Sequence, residues 1–239
     1  MIEVRELEVR FGGVKPIDGM TVTFPHGTCG LIGPNGAGKT TFFNVLSGFV
    51  RPAGGTVTAF GEDLLRMPDF RRARWGVRRT FQTEQAIEKL SVYDNVALVH
   101  EHSGAPRSSR EEDVLGAIDF VGLEMDPGER VGTLGARDRR LVEVARAVVG
   151  KPRLVLLDEP AAGLPDEETE HMGSVIRKVP EQMGALVILV DHDMSLVSAC
   201  CEVTAVLDFG KLIASGPTAE VLRDDEVIRA YLGVDEEAA

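Results

Sequence analysis

The sequence predicts an α/β fold: a mostly parallel sheet around a phosphate-cradling loop, with an N-terminal antiparallel β-subdomain and an inserted α-helical subdomain. Three stretches predict it. Gly33-Pro34-Asn35-Gly36-Ala37-Gly38-Lys39-Thr40-Thr41 fits G-x-x-x-x-G-K-[ST], between a strand-like and a helix-like run. The apolar run Leu154–Leu157 delivers Asp158 and Glu159 to its C-terminal end, where open parallel sheets bind ligands. From Leu90 to about Gly150 the apolar spacing turns helical. The chain is therefore expected to be a single domain, 1–239. Its α/β core with the β flap spans 1–85 and 151–239, and its helical subdomain 86–150.

The glycine-rich loop has a specific chemistry. Glycines let the backbone curl so that consecutive N–H groups point at phosphate oxygens, and the following helix adds the positive end of its dipole. Lys39 is expected to reach the β- and γ-phosphates, and the Thr40 hydroxyl to join the shell of a nucleotide-bound Mg²⁺. Thr28–Ile32 reads as a buried strand and Thr41–Ser47 as a helix carrying Phe42, Phe43, Val45 and Leu46. A chance glycine-rich turn would lack that strand–loop–helix context. The chain binds a nucleoside triphosphate.

Composition narrows the class. Apolar residues at 44% and charged residues at 27% suit a globular protein that buries a core. A net charge of −12 argues against a general nucleic-acid backbone binder, which needs a basic face. Leu154–Leu157 and Leu186–Val190 are too short to cross a bilayer, so any membrane role must come through a partner. Met1-Ile2-Glu3 opens with no visible secretory signal. Three cysteines, two of them adjacent, make neither a disulfide framework nor a zinc site and suit a reduced cytosol.

Taken in order, Ile2–Arg10 alternates weakly and ends at the turn Phe11-Gly12-Gly13, and Met20–Phe24 is a second short strand. Phe11 is either a base-stacking aromatic or a core residue. Arg51–Gly55 is a turn and Thr56–Phe60 a strand. Phe70–Arg79 carries Arg71, Arg72, Arg74, Arg78 and Arg79. It reads as a solvated helix face plus loop, with a contact surface for acidic or lipid head groups as the alternative. Val77–Phe81 is a strand ending at Gln82, which has little intrinsic meaning there.

Ser91–Asp94 resembles a capping box, and Glu111–Val121 and Arg137–Val149 have helical spacing. His100 and His102 flank a loop with no convincing metal-binding pattern. Past the break at Lys151-Pro152, Asp158 is expected to hold Mg²⁺ through water and Glu159 to polarise the attacking water. Asp166–Lys178 is a helix and Leu186–Val190 a buried strand. His192 stands just past its tip, placed to contact the γ-phosphate. Val203–Leu207 and Leu212–Ala214 form a hairpin, and short helices near Ala219–Leu222 and Val227–Leu232 precede an acidic tail, Asp235-Glu236-Glu237.

Over essentially its full length this constellation resembles the ATP-binding subunits of ABC transporters, a P-loop NTPase (RecA-like) fold. The residues carrying the resemblance are Gly33–Thr41, Phe81-Gln82, Leu156–Pro160 and Asp191-His192-Asp193. Several phrases are similar to the branched-chain amino-acid importers: Arg10–Val14, Phe43–Gly48, Arg79–Thr83, Glu159–Leu164 and Ile228–Gly233. The resemblance implies ATP and Mg²⁺ as ligands, adenine stacking by Phe11, and Gln82 as a link between Mg²⁺ and a transmembrane partner. It also implies a second ABC ATPase subunit, transmembrane permease subunits and, indirectly, a solute-binding protein, at the cytoplasmic face of the membrane. Amino-acid uptake is the expected task. A different small solute is one alternative, and an ATP-gated dimerisation module with little hydrolysis another. Work on nucleic acid is disfavoured by the single ATPase domain and the acidity.

Two departures from the family pattern stand out. The signature Leu-Ser-Gly-Gly-Gln falls on Leu134-Gly135-Ala136-Arg137-Asp138, so its serine becomes Gly135 and its second glycine Arg137. A hydroxyl is gone and a bulky cation replaces a residue of close approach. Pro165 follows Leu164, removing an N–H from the loop that normally contacts the other subunit. Family members work as head-to-tail dimers, each ATP lying between one P-loop and the other signature. This chain is therefore expected to pair with a standard-signature subunit in an asymmetric heterodimer.

Overall fold

The computed structural model describes residues 1–232, so the acidic tail Asp235–Glu237 and Gly233 lie outside the described residues. In the N-terminal sheet β1 (Ile2–Phe11) pairs antiparallel with β2 (Val14–Phe24) and with β4 (Gly54–Ala59), whose far side takes β5 (Glu62–Asp63). The weak alternation of β1 has a local cause. Ile2 and Val4 are buried, then Leu7 and Val9, because the register slips around Glu6, which sits at φ 48. β2 starts well before the expected Met20, since pairing from Phe11↔Val14 onward draws in Ile17 and Pro16. Proline is tolerated because β2 is an edge strand, the order being β2-β1-β4-β5.

The second sheet holds β3 (Thr28–Ile32), β6 (Val77–Arg79), β7 (Leu154–Asp158), β8 (Leu186–Val190), β9 (Val203–Asp208) and β10 (Lys211–Pro217) in the order β10-β9-β3-β8-β7-β6. Only the β9–β10 pairing is antiparallel. The near-continuous apolar runs of β3, β7 and β8 follow from burial on both faces. One face packs against α1 (Lys39–Ser47) and the N-terminal sheet, around Phe24, Phe42 and Phe43. The other packs against α3 (Val92–His102), α4 (Arg110–Phe120), α5 (Ala136–Val148), α6 (Asp166–Met183) and α7 (Met194–Cys200). Each large apolar side chain buried in these layers contributes about 1.5–3 kcal/mol.

Besides strand ends such as β6, which stops at Arg79 and not Phe81, helix α6 runs longer than the sequence reading and helix α7 is absent from it. α6 continues past Lys178 through Pro180 to a left-handed Gly184, because Val175, Ile176 and Val179 stay buried and outweigh the lost proline N–H. α7, at seven residues, is too short to show a helical period, yet Asp193 caps it by accepting from Ser195 N and Leu196 N at 2.8 and 3.2 Å. α8 (Thr218–Val221) and α9 (Asp225–Leu232) close the described chain.

The arginine cluster is not a uniformly solvated face. Arg71 and Arg74, on α2 (Asp69–Trp75), are exposed, but Arg72 and Arg78 are 5% and 6% exposed. Arg72 donates to Met67 O, Leu46 O and Val45 O, tying α2 to the C-terminal end of α1. Arg78 donates to Ala73 O, Val77 O and Ser103 O. A charged run in the sequence does not reveal which members turn inward to satisfy carbonyls.

Candidate nucleotide site

The loop after β3 is held by close backbone approach at both ends. Gly33 lies at φ 149, and a Cβ there would sit 2.0 Å from Leu207 O. Gly38 lies at φ 110, and a Cβ there would sit 2.1 Å from Pro16 O. No other residue type fits these two positions. Gly210 N donates to Ala37 O at 3.0 Å, so the β9–β10 turn braces the loop from outside. α1 opens with no side-chain cap and no acidic residue in its first turn, leaving its N–H groups and positive dipole end available to an anion.

The cleft over this loop measures about 390 Å³ and is lined by Asn35–Thr41 with Pro16, Gln82, Glu159 and Val190. Lys39 Nζ donates to Gly33 O at 2.5 Å and Pro34 O at 3.0 Å. Burial holds its ammonium below the usual lysine range, an effect the carboxylates of Glu159 and Asp158 oppose.

Three side chains expected to act together are brought together. Glu159 Oε2 accepts from Gln82 Nε2 at 3.1 Å, and Glu159 Oε1 lies 3.1 Å from His192 Nε2. Glu159 itself sits at φ 50, with its N–H on Val190 O at 2.8 Å. A left-handed non-glycine residue costs roughly 1–3 kcal/mol, and such strain clusters at functional sites. Parallel pairing of Asp158 with Val190 sets both acidic residues and His192 at adjacent strand ends.

Asp158 is buried, which pushes its carboxyl above the usual range against the opposing pull of Arg79. Arg79 Nη2 donates to Asp158 Oδ2 at 2.9 Å, and Nη1 to Asn44 Oδ1 at 2.5 Å. Neither Arg79 nor Asn44 carries a sequence signal for this role. Oxygen donors near the loop are the Thr40 hydroxyl, the Gln82 amide oxygen and the Asp158 carboxylate. Among the described residues no cluster of three His, Cys, Asp or Glu could cage a metal. A sparse, hard-oxygen set of this kind fits Mg²⁺, which keeps waters and takes its other ligands from phosphates.

The remaining expected residues lie apart from the cleft. Phe11 is 53% exposed at the closed end of the β1–β2 hairpin and does not line it. Leu134–Asp138 do not line it either. Leu134 is buried, Gly135 is the N-cap of α5, and Arg137 pairs with Asp138 at 3.1 Å. Tyr231, which no local sequence signal marks, accepts from Gly33 N through its hydroxyl.

The model of the ABC transporter family matches residues 17–162, more than half of the chain. The chain belongs to the ABC transporter family. A second family model, described as branched-chain amino acid ATP-binding cassette transporter, matches 211–237. This ABC cassette is 34% identical to the high-affinity branched-chain amino acid transport ATP-binding protein BraF of Pseudomonas aeruginosa, over 98% of each chain. It is 33% identical to LivG of Escherichia coli, a protein of the same description, again over 98% of each. A crystal structure of a nucleotide-free ATP-binding cassette from an ABC transporter superposes with a TM-score of 0.86 at 23% identity, covering 97% of this chain and 98% of that one. Another cassette, in its ADP conformation, superposes with a TM-score of 0.87 at 24% identity over 98% of each. The fold is that of the ABC ATPase, as the sequence predicts.

Proposed function

We propose that this cassette is the ATP-hydrolysing subunit of an ABC importer for branched-chain or related amino acids, working at the cytoplasmic face of the membrane. The observation that carries hydrolysis is the Gln82–Glu159–His192 cluster at the mouth of the P-loop cleft. Full-length similarity to branched-chain amino acid transport proteins supports the substrate class.

Lys39 and the loop N–H groups hold the β- and γ-phosphates, and Phe11 offers its exposed face to the base. Glu159 takes a proton from the attacking water. Gln82 and His192 hold its carboxylate in line, and His192 steadies the γ-phosphate. Thr40, Gln82 and, through water, Asp158 would hold Mg²⁺, whose charge would offset that of the phosphates. Catalysis of this kind is mostly positioning and charge stabilisation.

The signature must come from a second ABC subunit, and the segment Leu134–Asp138 serves the opposite site in turn. Lacking the serine hydroxyl and carrying Arg137, it leaves that opposite site weaker, by on the order of 3 kcal/mol per lost donor. An asymmetric heterodimer follows, with the stronger site built on this chain's P-loop.

The membrane partner also has a seat. No helix among the described residues is long and apolar enough to cross a membrane. A groove of about 350 Å³ is lined by Phe49, Phe70, Ala73, Val77, Phe81 and Val99, and Phe81 immediately precedes Gln82 in the chain. Phe49 and Phe70 are 62% and 59% exposed there. We assign it to an apolar cytoplasmic segment of a permease subunit.

The test is steady-state ATPase activity of the purified chain, alone and mixed with a standard-signature cassette encoded beside it. Low activity alone and a clear rise on mixing is expected. High activity alone would end the asymmetric reading and leave the ATPase assignment intact. Glu159→Gln should abolish turnover in the mixture. If it only trims an already negligible rate, the chain is an ATP-gated dimerisation module instead.

A further inference from the structure

Arg79 sits where the apolar groove meets the carboxylate assigned to Mg²⁺, and its guanidinium has two neighbourhoods. On the inner side it bridges Asp158 at the end of β7 and Asn44 on α1, at 2.9 and 2.5 Å. Thr40 lies on that same helix, so Asn44–Arg79–Asp158 is a bracket across the two elements that flank the metal shell. On the outer side the guanidinium stacks 4.7 Å from the ring centroid of Phe81, and it also lies 5.4 Å from that of Phe43, which is buried in the core. Phe81 packs on Phe49 with centroids 6.2 Å apart, and Phe49, Phe81 and Arg79 all line the groove.

The inner pair is dry, with side chains 5% and 4% exposed. Removing one partner of such a pair strands a buried charge, a far larger effect than losing a surface ion pair. On the remaining edge Arg79 Nε is buried with no hydrogen-bond partner among the described residues, so apart from its two Nη bonds the guanidinium is held by ring stacking. An occupant of the groove touches the stacked aromatics, and through them the group that orients Asp158.

We propose that Arg79 is a positioning residue that couples occupancy of the apolar groove to the metal-holding carboxylate of Asp158. This rests on the reading that a permease segment fills the groove. The segment would press on Phe49 and Phe81, shift the guanidinium, and change the spacing between the P-loop helix and β7.

The test titrates Mg²⁺ against binding of a fluorescent ATP analogue to the full-length chain, with parallel binding in EDTA. Arg79→Met should raise the half-saturating Mg²⁺ concentration about tenfold, as loss of groups that orient metal ligands does, with EDTA binding unchanged. Arg79→Lys should restore part of the shift. Asn44→Ala, which cuts the other arm of the bracket, reports on it if Arg79→Met does not fold. Phe81→Leu and Phe49→Ala, on the groove side, should shift the Mg²⁺ requirement in the same direction. An unchanged requirement in Arg79→Met and Asn44→Ala overturns the proposal. A shift in those two but none in the groove variants also overturns it, because Arg79 is then only a fixed anchor. The docking reading fails separately: Phe70→Ser, on the groove but away from Arg79, would then still co-purify with the membrane subunits encoded beside it.

Discussion

The hydroxyl of Tyr231 accepts a hydrogen bond from the N–H of Gly33 at 2.5 Å, joining α9 to the first residue of the P-loop across 198 positions of sequence. The carbonyl of Gly33 in turn accepts from Lys39 Nζ. The C-terminal segment therefore supports the peptide that accepts from Lys39. Tyr231→Phe removes the hydroxyl alone and leaves a sheltered N–H unpaired, at a cost of about 1–3 kcal/mol. The expected outcome is a several-fold rise in KM for ATP with kcat retained, read from steady-state kinetics. An unchanged KM would mean that water replaces the hydroxyl without loss.

The degenerate signature can be repaired without strain. A Cβ at Gly135 meets nothing within 4 Å, and its φ of −65° suits any residue. Serine there would also cap α5, worth only a few tenths of a kcal/mol relative to glycine. Gly135→Ser combined with Arg137→Gly should raise the ATPase rate of the self-associated chain by tenfold or more (roughly, from one restored donor). Melting temperature should barely move. No change in rate would show that Arg137 already serves the phosphate.

Arg71 and Arg72 are neighbours with opposite fates. Arg72→Ala uncovers carbonyls of Val45, Leu46 and Met67 and should cost about 2–4 kcal/mol in urea unfolding. Arg71→Ala, at an exposed position, should stay within about 0.5 kcal/mol of the parent. Equal effects would contradict the inward turn of Arg72.

Alkaline stability should reflect buried thiols. Burial pushes the Cys29 thiol up to about 12 and raises those of Cys200 and Cys201. Between the unfolded value near 9 and these folded values, the unfolded chain gives up protons that the folded chain keeps, so stability falls as pH rises. The contribution is intact below pH 9 and falls by about 1.4 kcal/mol per pH unit per thiol above it. Denaturation at pH 8 and 10 should show this slope, and Cys29→Ala should make it shallower despite its lower starting stability.

Much of this protein was legible because short stretches carry complete instructions. Gly33–Thr41 needs its glycines at two close backbone approaches, and Leu154–Glu159 delivers its carboxylates wherever the strand is placed. The buried runs of β3, β7 and β8 read as strands because burial on both faces leaves them no polar alternation. Less was readable where the signal is split. Only the second half of β2 is readable in the sequence, since its first half owes its form to pairing with β1. Arg79 and Asn44 are 35 positions apart, and nothing local marks them as partners.

From the sequence alone came the nucleotide chemistry, the order of elements and the departure of Leu134–Asp138 from the family signature, because each rests on residue type at fixed spacing along one chain. Only the tertiary structure decided which arginines are buried, that Asp158 is held by Arg79, and that the C-terminal helix braces Gly33. Those contacts join distant segments, and a charged side chain takes its role from the carbonyls, carboxylates and rings that folding brings to it.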